Sequence, residues 1–226
     1  MIKYKSRGDL IIISGTTCAG KGTVIKKLLS LHNDLLLSIS YTSRPKRDYE
    51  IDGVDYYFVT EDEFKEKIAN NEFLEYAQVQ NNDYYGTPKK EVEAMLASGK
   101  DVILEIDVEG AKQIKKLFPE TILIFIMAPS MTEVKNRIIS RGTDTKEQII
   151  NRFRVAYNEI NEVNKYNYVV VNDNVDNAVN KIEAILISEK LRVDRIEEIS
   201  VENEEEMIHE LLIDKEFDNT KRKIDS

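Results

Sequence analysis

The residues of this chain most plainly fitted to holding a polyphosphate are Gly15, Thr16, Thr17, Cys18, Ala19, Gly20, Lys21, Gly22 and Thr23. Positions without a Cβ let the peptide come close to phosphate oxygens, and N–H groups turned inward along a tight loop supply the donors. The ammonium of Lys21 reaches the outer phosphates. A helix that starts at the loop presents its unpaired N–H groups and positive dipole end to the same anion. Gly22 stands where a hydroxyl commonly follows the lysine, so the first side-chain oxygen able to approach a metal comes one place later, at Thr23.

Three further groups of residues suit a second ligand. In Ser40-Tyr41-Thr42-Ser43-Arg44-Pro45-Lys46-Arg47, with Tyr56 nine residues on, Arg44 and Arg47 are planar forks matched to a phosphate monoester. Taken alone, the same stretch reads as a solvated basic loop. Glu75, Asp107 and Thr87 offer two acceptors and a hydroxyl, which match guanine's pairing edge with its N1 and N2 donors beside O6 and mismatch adenine. Arg141 and Arg152 lie eleven residues apart across a turn, where guanidinium groups on a flap would stabilise charge on a transferred phosphoryl group.

Certain elements must position these groups. Ile11 to Ile13 reads as a strand running into the loop, and Val24, Ile25, Leu28 and Leu29 as the helix leaving it. Leu35 to Tyr41 reads as a second strand. From Thr42 to Pro88 the chain turns polar and aromatic, with Asp-Gly and Asn-Asn-Asp turn signals that suggest a small, mostly antiparallel insertion. A helix from Lys89, the strand DVILEID, a helix from Glu109 and the strand TILIFIMA follow; this alternation predicts a three-layer α/β fold around a parallel sheet. Ligands in such sheets sit at the carboxyl ends of the strands, where Gly15, Asp107 and Ala128 all fall. Met131 to Asn164 reads as two helices joined at Arg141–Thr145, and a last strand, Tyr166 to Val171, leads to an amphipathic helix. The expected division is a core of 1–41, 89–130 and 156–188, a lobe at 42–88, a helical lid at 131–155 and an acidic extension at 189–226.

The chain has 226 residues and a net charge of −9, and from Glu189 onward it carries thirteen acidic against seven basic residues. The acidity therefore belongs mostly to the tail and argues against nucleic-acid binding. One cysteine, Cys18, excludes a disulfide framework. With no apolar run of spanning length and no secretory leader pattern, a cytoplasmic protein with no membrane partner is expected. Monomer and dimer are both open.

In order and near this spacing, GTTCAGK, SYTSRPKR, DGVDYYFV, NEFLEYAQV, YYGTP, VILEIDVEGA, RGTDT and YVVVND resemble the motifs of the guanylate kinase family. The likeness covers residues 8 to 188. It implies a P-loop NTPase-type kinase that moves the γ-phosphoryl of ATP to GMP and dGMP, with Mg2+ as cofactor. By that likeness Ser40, Arg44, Arg47, Tyr56 and Tyr85 hold the GMP phosphate, while Glu75, Thr87 and Asp107 read the base. Gly15 to Thr23 hold ATP, with Lys21, Arg44, Arg137, Arg141 and Arg152 catalytic and Asn172 toward the adenine. Thr23, Glu105 and Asp107 would order the metal through water. Three departures fall on Gly22, on Tyr49 where a glycine is usual, and on a hairpin before Tyr84 that is one residue long. The rival readings are a phosphopeptide-binding module of the same fold, which typically loses the phosphate loop, and a kinase of phosphorylated sugars.

Overall fold

Leu10–Gly15 (β2) is apolar until Ser14, and every residue in it is buried, as only a strand covered on both faces can be. Its alternate side chains divide the core. Ile11 and Ile13 pack with Val24, Ile25 and Leu28 of α1 (Lys21–Leu31) and with Val179 and Ile182 of α7 (Val175–Lys190). Leu10 and Ile12 face the other way, onto Val92 and Leu96 of α3 (Lys89–Ala97) and Ala111 and Ile114 of α4 (Val108–Leu117). Burying each such side chain contributes about 1.5–3 kcal/mol, so the strand that ends in the phosphate loop is also among the most firmly held.

In the structure, a computed structural model that describes residues 2–4, 6–79, 82–140, 145–199, 208–209 and 212, β2 is the middle strand of five. It lies between β8 (Asp101–Glu105) and β9 (Ile122–Met127), with β3 (Leu35–Leu37) and β10 (Tyr168–Val171) at the edges, and every pair is parallel. Parallel neighbours need crossovers, and the helices that make them cover both faces. The carboxyl ends of β2 and β8 thus open on the same side, which brings Gly15, Glu105 and Asp107 together.

The expected strand from Leu35 to Tyr41 is two strands in different sheets. Tyr41–Thr42 (β4) pairs with β7 (Tyr84–Pro88), not with the central sheet. The Ser38 N–H still donates to the Ile103 carbonyl at 2.9 Å, yet the Ser40 carbonyl already accepts from Tyr57 N–H at 2.9 Å. The backbone changes ladders within two residues because a new partner takes its hydrogen bonds.

That second sheet runs in the order β5 (Tyr57–Phe58), β4, β7, β6 (Phe73–Gln78), antiparallel except for the β4–β5 pair. α2 (Glu61–Ala69) starts at a Thr60–Glu63 capping box and buries Phe64. The Phe64 ring stacks on Phe73 at 4.6 Å and Tyr84 at 5.3 Å between centroids, so the lobe has an aromatic core of its own. α5 (Met131–Ser140) and α6 (Lys146–Ile160) share a third small cluster, Val134, Ile138 and Ala156 with Ala128, and the expected Thr145–Gln148 capping box opens α6.

By contact the chain divides into Ser6–Ile187, to which all of this belongs, and a separate unit of Met1–Lys5 with Ser188–Ser226. Within the latter, β1 (Ile2–Tyr4) pairs antiparallel with β11 (Ile196–Ile199). Ile196 and Ile199, in the stretch expected as an acidic extension, stand in a strand whose partner comes from the other end of the chain. No helix among the described residues is long and apolar enough to cross a membrane.

Candidate functional site

Gly15 closes β2 with φ at 152°, and a Cβ there would stand 1.9 Å from the Ile126 carbonyl oxygen. Gly20, at φ 85°, begins α1 with no side chain capping it, which leaves the first turn's N–H groups to an incoming anion. Lys21 Nζ donates to the carbonyls of Gly15 (2.9 Å) and Thr16 (3.4 Å), so its ammonium lies along the loop.

Two side chains donate to carbonyls in the second half of the loop. Asn172, 4% exposed, donates from Nδ2 to the Ala19 carbonyl at 2.7 Å. Arg137 donates from Nη1 to the carbonyls of Ala19 (3.3 Å) and Cys18 (3.5 Å) and from Nη2 to that of Asn172 (3.2 Å). Its Nε donates to Glu133 at 2.7 Å. Arg137, expected over ATP, and Asn172, expected near adenine, thus both donate to carbonyls of the loop. On the other side Glu159 of α6 accepts from the Thr17 N–H at 2.7 Å.

Beyond the loop lies a cleft of about 290 Å3 lined by Lys21, Ser40, Tyr56, Glu75, Tyr85, Glu105, Asp107 and Glu159, with Ala77, Val79 and Ile106 as its apolar wall. Glu75, on β6, is 6% exposed. Thr87 Oγ1 donates to its Oε1 at 2.6 Å, and only the missing side chain of Gly110 admits its other oxygen, which would lie 2.7 Å from a Cβ there. Burial pushes the Glu75 carboxyl up to about 7, against the Thr87 hydrogen bond and with the help of the Asp107 charge. Asp107 caps α4, accepting from the Gly110 N–H at 2.8 Å.

Glu105 and Glu159 are also raised above the usual carboxylate range, each chiefly by burial among the cleft walls, with Lys21 opposing. Burial and the charge of Glu105 push the Tyr56 hydroxyl up to about 12, so it stays protonated and able to donate.

In the arginine stretch, Arg44 and Arg47 differ. Arg44 Nη1 and Nη2 clasp the two oxygens of Glu50 at 3.0 and 2.8 Å, and its Nε donates to the Tyr85 hydroxyl at 3.1 Å. Arg47 is half-exposed, and its Nη1 donates to the Tyr49 hydroxyl at 3.1 Å.

The fold thus gathers into one cleft Lys21, Ser40, Tyr56, Glu75, Tyr85, Glu105 and Asp107, residues far apart in sequence, with Arg44 and Thr87 bonded directly to members of that set. Thr23 is exposed on α1, and Arg152, half-buried on α6, is not among the residues that line the cleft. Arg141 and residues 80 and 81 of the unusual hairpin lie outside the described residues. Sequence reasoning missed Glu50 and Glu159 as site residues. An acid three and six residues from two arginines was a usable signal for Glu50; Glu159 meets Thr17 across 142 positions and left no local trace.

Among the described residues no three His, Cys, Asp or Glu side chains stand close enough to hold an ion by themselves. A Cβ at Gly22 would have the Glu105 carboxylate oxygens 3.8 and 4.0 Å away, so acid rather than hydroxyl faces the start of α1. Such a set of hard oxygens beside a phosphate loop fits magnesium, which keeps most of its waters and takes its remaining ligands from phosphates.

A family model described as guanylate kinase matches residues 7–189. The guanylate kinase of Clostridium perfringens (strain 13 / Type A) is 56% identical over 213 residues, 94% of this chain and 98% of its own. That of Clostridium tetani (strain Massachusetts / E88) is 55% identical over 208 residues, 92% of this chain and 99% of its own. The crystal structure of guanylate kinase from Anaplasma phagocytophilum superposes with a TM-score of 0.72 at 32% identity, covering 86% of this chain and 92% of that one.

Proposed function

The chain belongs to the guanylate kinase family, and from that premise we propose how its side chains divide the work of moving a phosphoryl group from ATP to GMP. The protein is an ATP:GMP phosphotransferase; neither the peptide-binding module nor the sugar-phosphate kinase is favoured. The observation that carries the division of labour is a single cleft lined at once by Lys21 of the phosphate loop and by Glu75 and Asp107.

The loop from Gly15 to Thr23 holds the donor's phosphates, and Lys21 stabilises charge on the transferred group. Arg137 and Asn172 keep the loop's amides aimed at that group, while Arg141 and Arg152 close on it when α5 and α6 move. Ser40, Arg44, Arg47, Tyr56 and Tyr85 hold the acceptor's phosphate. Glu75 and Asp107 accept from guanine N1–H and N2–H. Thr87 has one hydroxyl proton and gives it to Glu75, so it orients that carboxylate instead of donating to guanine O6. The acceptor phosphate dianion attacks in line without a side-chain base, and no covalent enzyme intermediate forms. Bound Mg2+, ordered through water by Glu105 and Asp107, would neutralise charge on the donor's phosphates. The lobe folds inward over bound GMP. We place the enzyme in the cytosol, where its two nucleotides are.

A coupled assay with ATP and GMP, dGMP, AMP, UMP or ribose phosphates tests this. Turnover is expected with the two guanine nucleotides alone, and equal turnover of AMP or a sugar phosphate would overturn the assignment of Glu75 and Asp107.

A pH dependence follows from Glu75. Its carboxylate is the stronger acceptor for guanine's donors and carries no competing O–H, so binding improves as pH rises through about 7. Between pH 6 and pH 8 the KM for GMP should fall roughly tenfold while that for ATP stays level. Initial rates at constant ionic strength measure both, and a GMP profile showing no step beyond the weak one near pH 6 from the substrate's own phosphate would remove Glu75 from base reading.

A further inference from the structure

Arg44 has five N–H donors, and four are spent inside the protein: Nε on Tyr85, one Nη1–H on the Pro45 carbonyl at 2.7 Å, and one N–H from each Nη on Glu50. The fork that would be expected to clasp a phosphate in two-point fashion is therefore already clasping an acid. Glu50 is well placed for this. Its side chain is 5% exposed, it also accepts from the Arg47 N–H at 2.8 Å, and the Arg44 fork holds its carboxyl below the usual range. The Arg44 guanidinium in turn lies 5.6 and 5.7 Å from the ring centroids of Tyr56 and Phe58, which leaves it little freedom to turn.

We propose that Glu50 is the positioning residue of the acceptor-phosphate site. It fixes the plane of Arg44 so that the one remaining Nη2–H and the guanidinium charge face the cleft, and through the Arg47 backbone it sets where the second, half-exposed guanidinium starts. The phosphate is then met by Arg44 as a fixed single donor and by Arg47 as the mobile fork. Glu50 need not touch the nucleotide. The inference rests on the GMP reading above.

The sign of one substitution separates positioning from simple charge. Glu50→Gln keeps the shape and removes a negative charge next to two arginines, so charge alone predicts tighter binding of a phosphate dianion. Positioning predicts the reverse, because a carboxamide has one acceptor atom where Glu50 uses two, and its NH2 would face an Nη donor. The expected result is a KM for GMP raised roughly ten- to hundredfold with the KM for ATP unchanged. Guanosine, which lacks the phosphate, should inhibit variant and wild type equally as a competitor of GMP. In the double variant with Arg44→Lys, the combined loss should be smaller than the product of the two single losses, since Glu50 acts largely through Arg44.

A KM for GMP that falls or stays constant in Glu50→Gln overturns the proposal. So does an equal weakening of GMP and guanosine, which would make Glu50 a support of the whole lobe. Wild-type protein that fails to phosphorylate GMP would sink the underlying reading instead, whereas a wild type active on GMP beside an indistinguishable Glu50→Gln sinks only the role of Glu50.

Discussion

Lys21→Ala is expected to lower kcat by a factor on the order of 10³ while moving the melting temperature by no more than about 2 °C. Phosphoryl transfer gives the protein little covalent work, so a lost cation at the transferred group is felt almost wholly in the transition state. Among the described residues the removed ammonium donates to the Gly15 and Thr16 carbonyls, and at its half-buried position in the cleft water can replace it. The strand and helix on either side are held by Ile11, Ile13, Val24 and Ile25, which the change does not touch. The Ala19 carbonyl of the loop remains held by Asn172 and Arg137, so the loop's shape should survive. Steady-state kinetics with ATP and GMP beside a thermal melt check this. A variant that keeps a tenth of wild-type kcat would show that the transferred charge is met elsewhere, and one that unfolds would make Lys21 a structural residue.

What was legible in the sequence follows from how local each cause is. The phosphate loop is a contiguous string whose glycines are dictated by one backbone path, so residue types alone revealed it. The central strands are buried on both faces and read as unbroken apolar runs, as in Leu10–Ile13 and Ile122–Ile126. By contrast, nothing local marks the point after Leu37 where the chain leaves one sheet for another, because β-ladders are closed by partners far along the chain. The same reason hid the pairing of Ile2 with Ile199.

The site divides similarly. Residue types announced that Glu75, Thr87 and Asp107 suit guanine, but their meeting depends on the lobe's β6–β7 pair, which sets Glu75 opposite Thr87, and on α4 starting at Asp107. Arg137 was placed with ATP by the family likeness. Besides Glu133 its partners are the backbone carbonyls of Cys18, Ala19 and Asn172, which no sequence pattern specifies. Glu50 lay in plain view beside Arg44 and Arg47 and was passed over because acids near arginines are usually surface pairs worth little; its burial makes this pair different.

Glu75→Gln should raise the KM for GMP about a hundredfold, leave that for ATP unchanged, and at the same time make the protein more stable at pH 8. The first effect comes from chemistry at one atom. The carboxylate accepts from Thr87 with one oxygen and keeps the other, charged, for guanine. The amide can leave an oxygen toward guanine only by turning its NH2 to Thr87. That strips the Thr87 proton of its acceptor and leaves guanine a weaker, uncharged one, a loss that water does not relieve in a buried site. The second effect has the opposite sign because Glu75 is poorly placed for the fold. Its folded-state value of about 7 lies above the ordinary 4.5, so the folded protein binds a proton more tightly than the unfolded chain. Stability is therefore highest below about pH 4.5 as far as this group is concerned, declines as pH rises between the two values, and stays at its lower level above about 7. The shift corresponds to a cost on the order of 3 kcal/mol at pH 8, which the neutral amide avoids. The gain from the substitution should accordingly vanish toward pH 4.5 and appear in full by pH 8, read from denaturant unfolding at both. GMP supplies the donors that the empty site lacks, so it should stabilise the wild type at pH 8 far more than it does the variant. The variant should also lose the fall in KM near pH 7, leaving the weaker step near pH 6 from ionisation of GMP's own phosphate. Equal KM changes for both nucleotides, or a variant less stable than wild type at pH 8, would mean that Glu75 holds the lobe together and does not read the base.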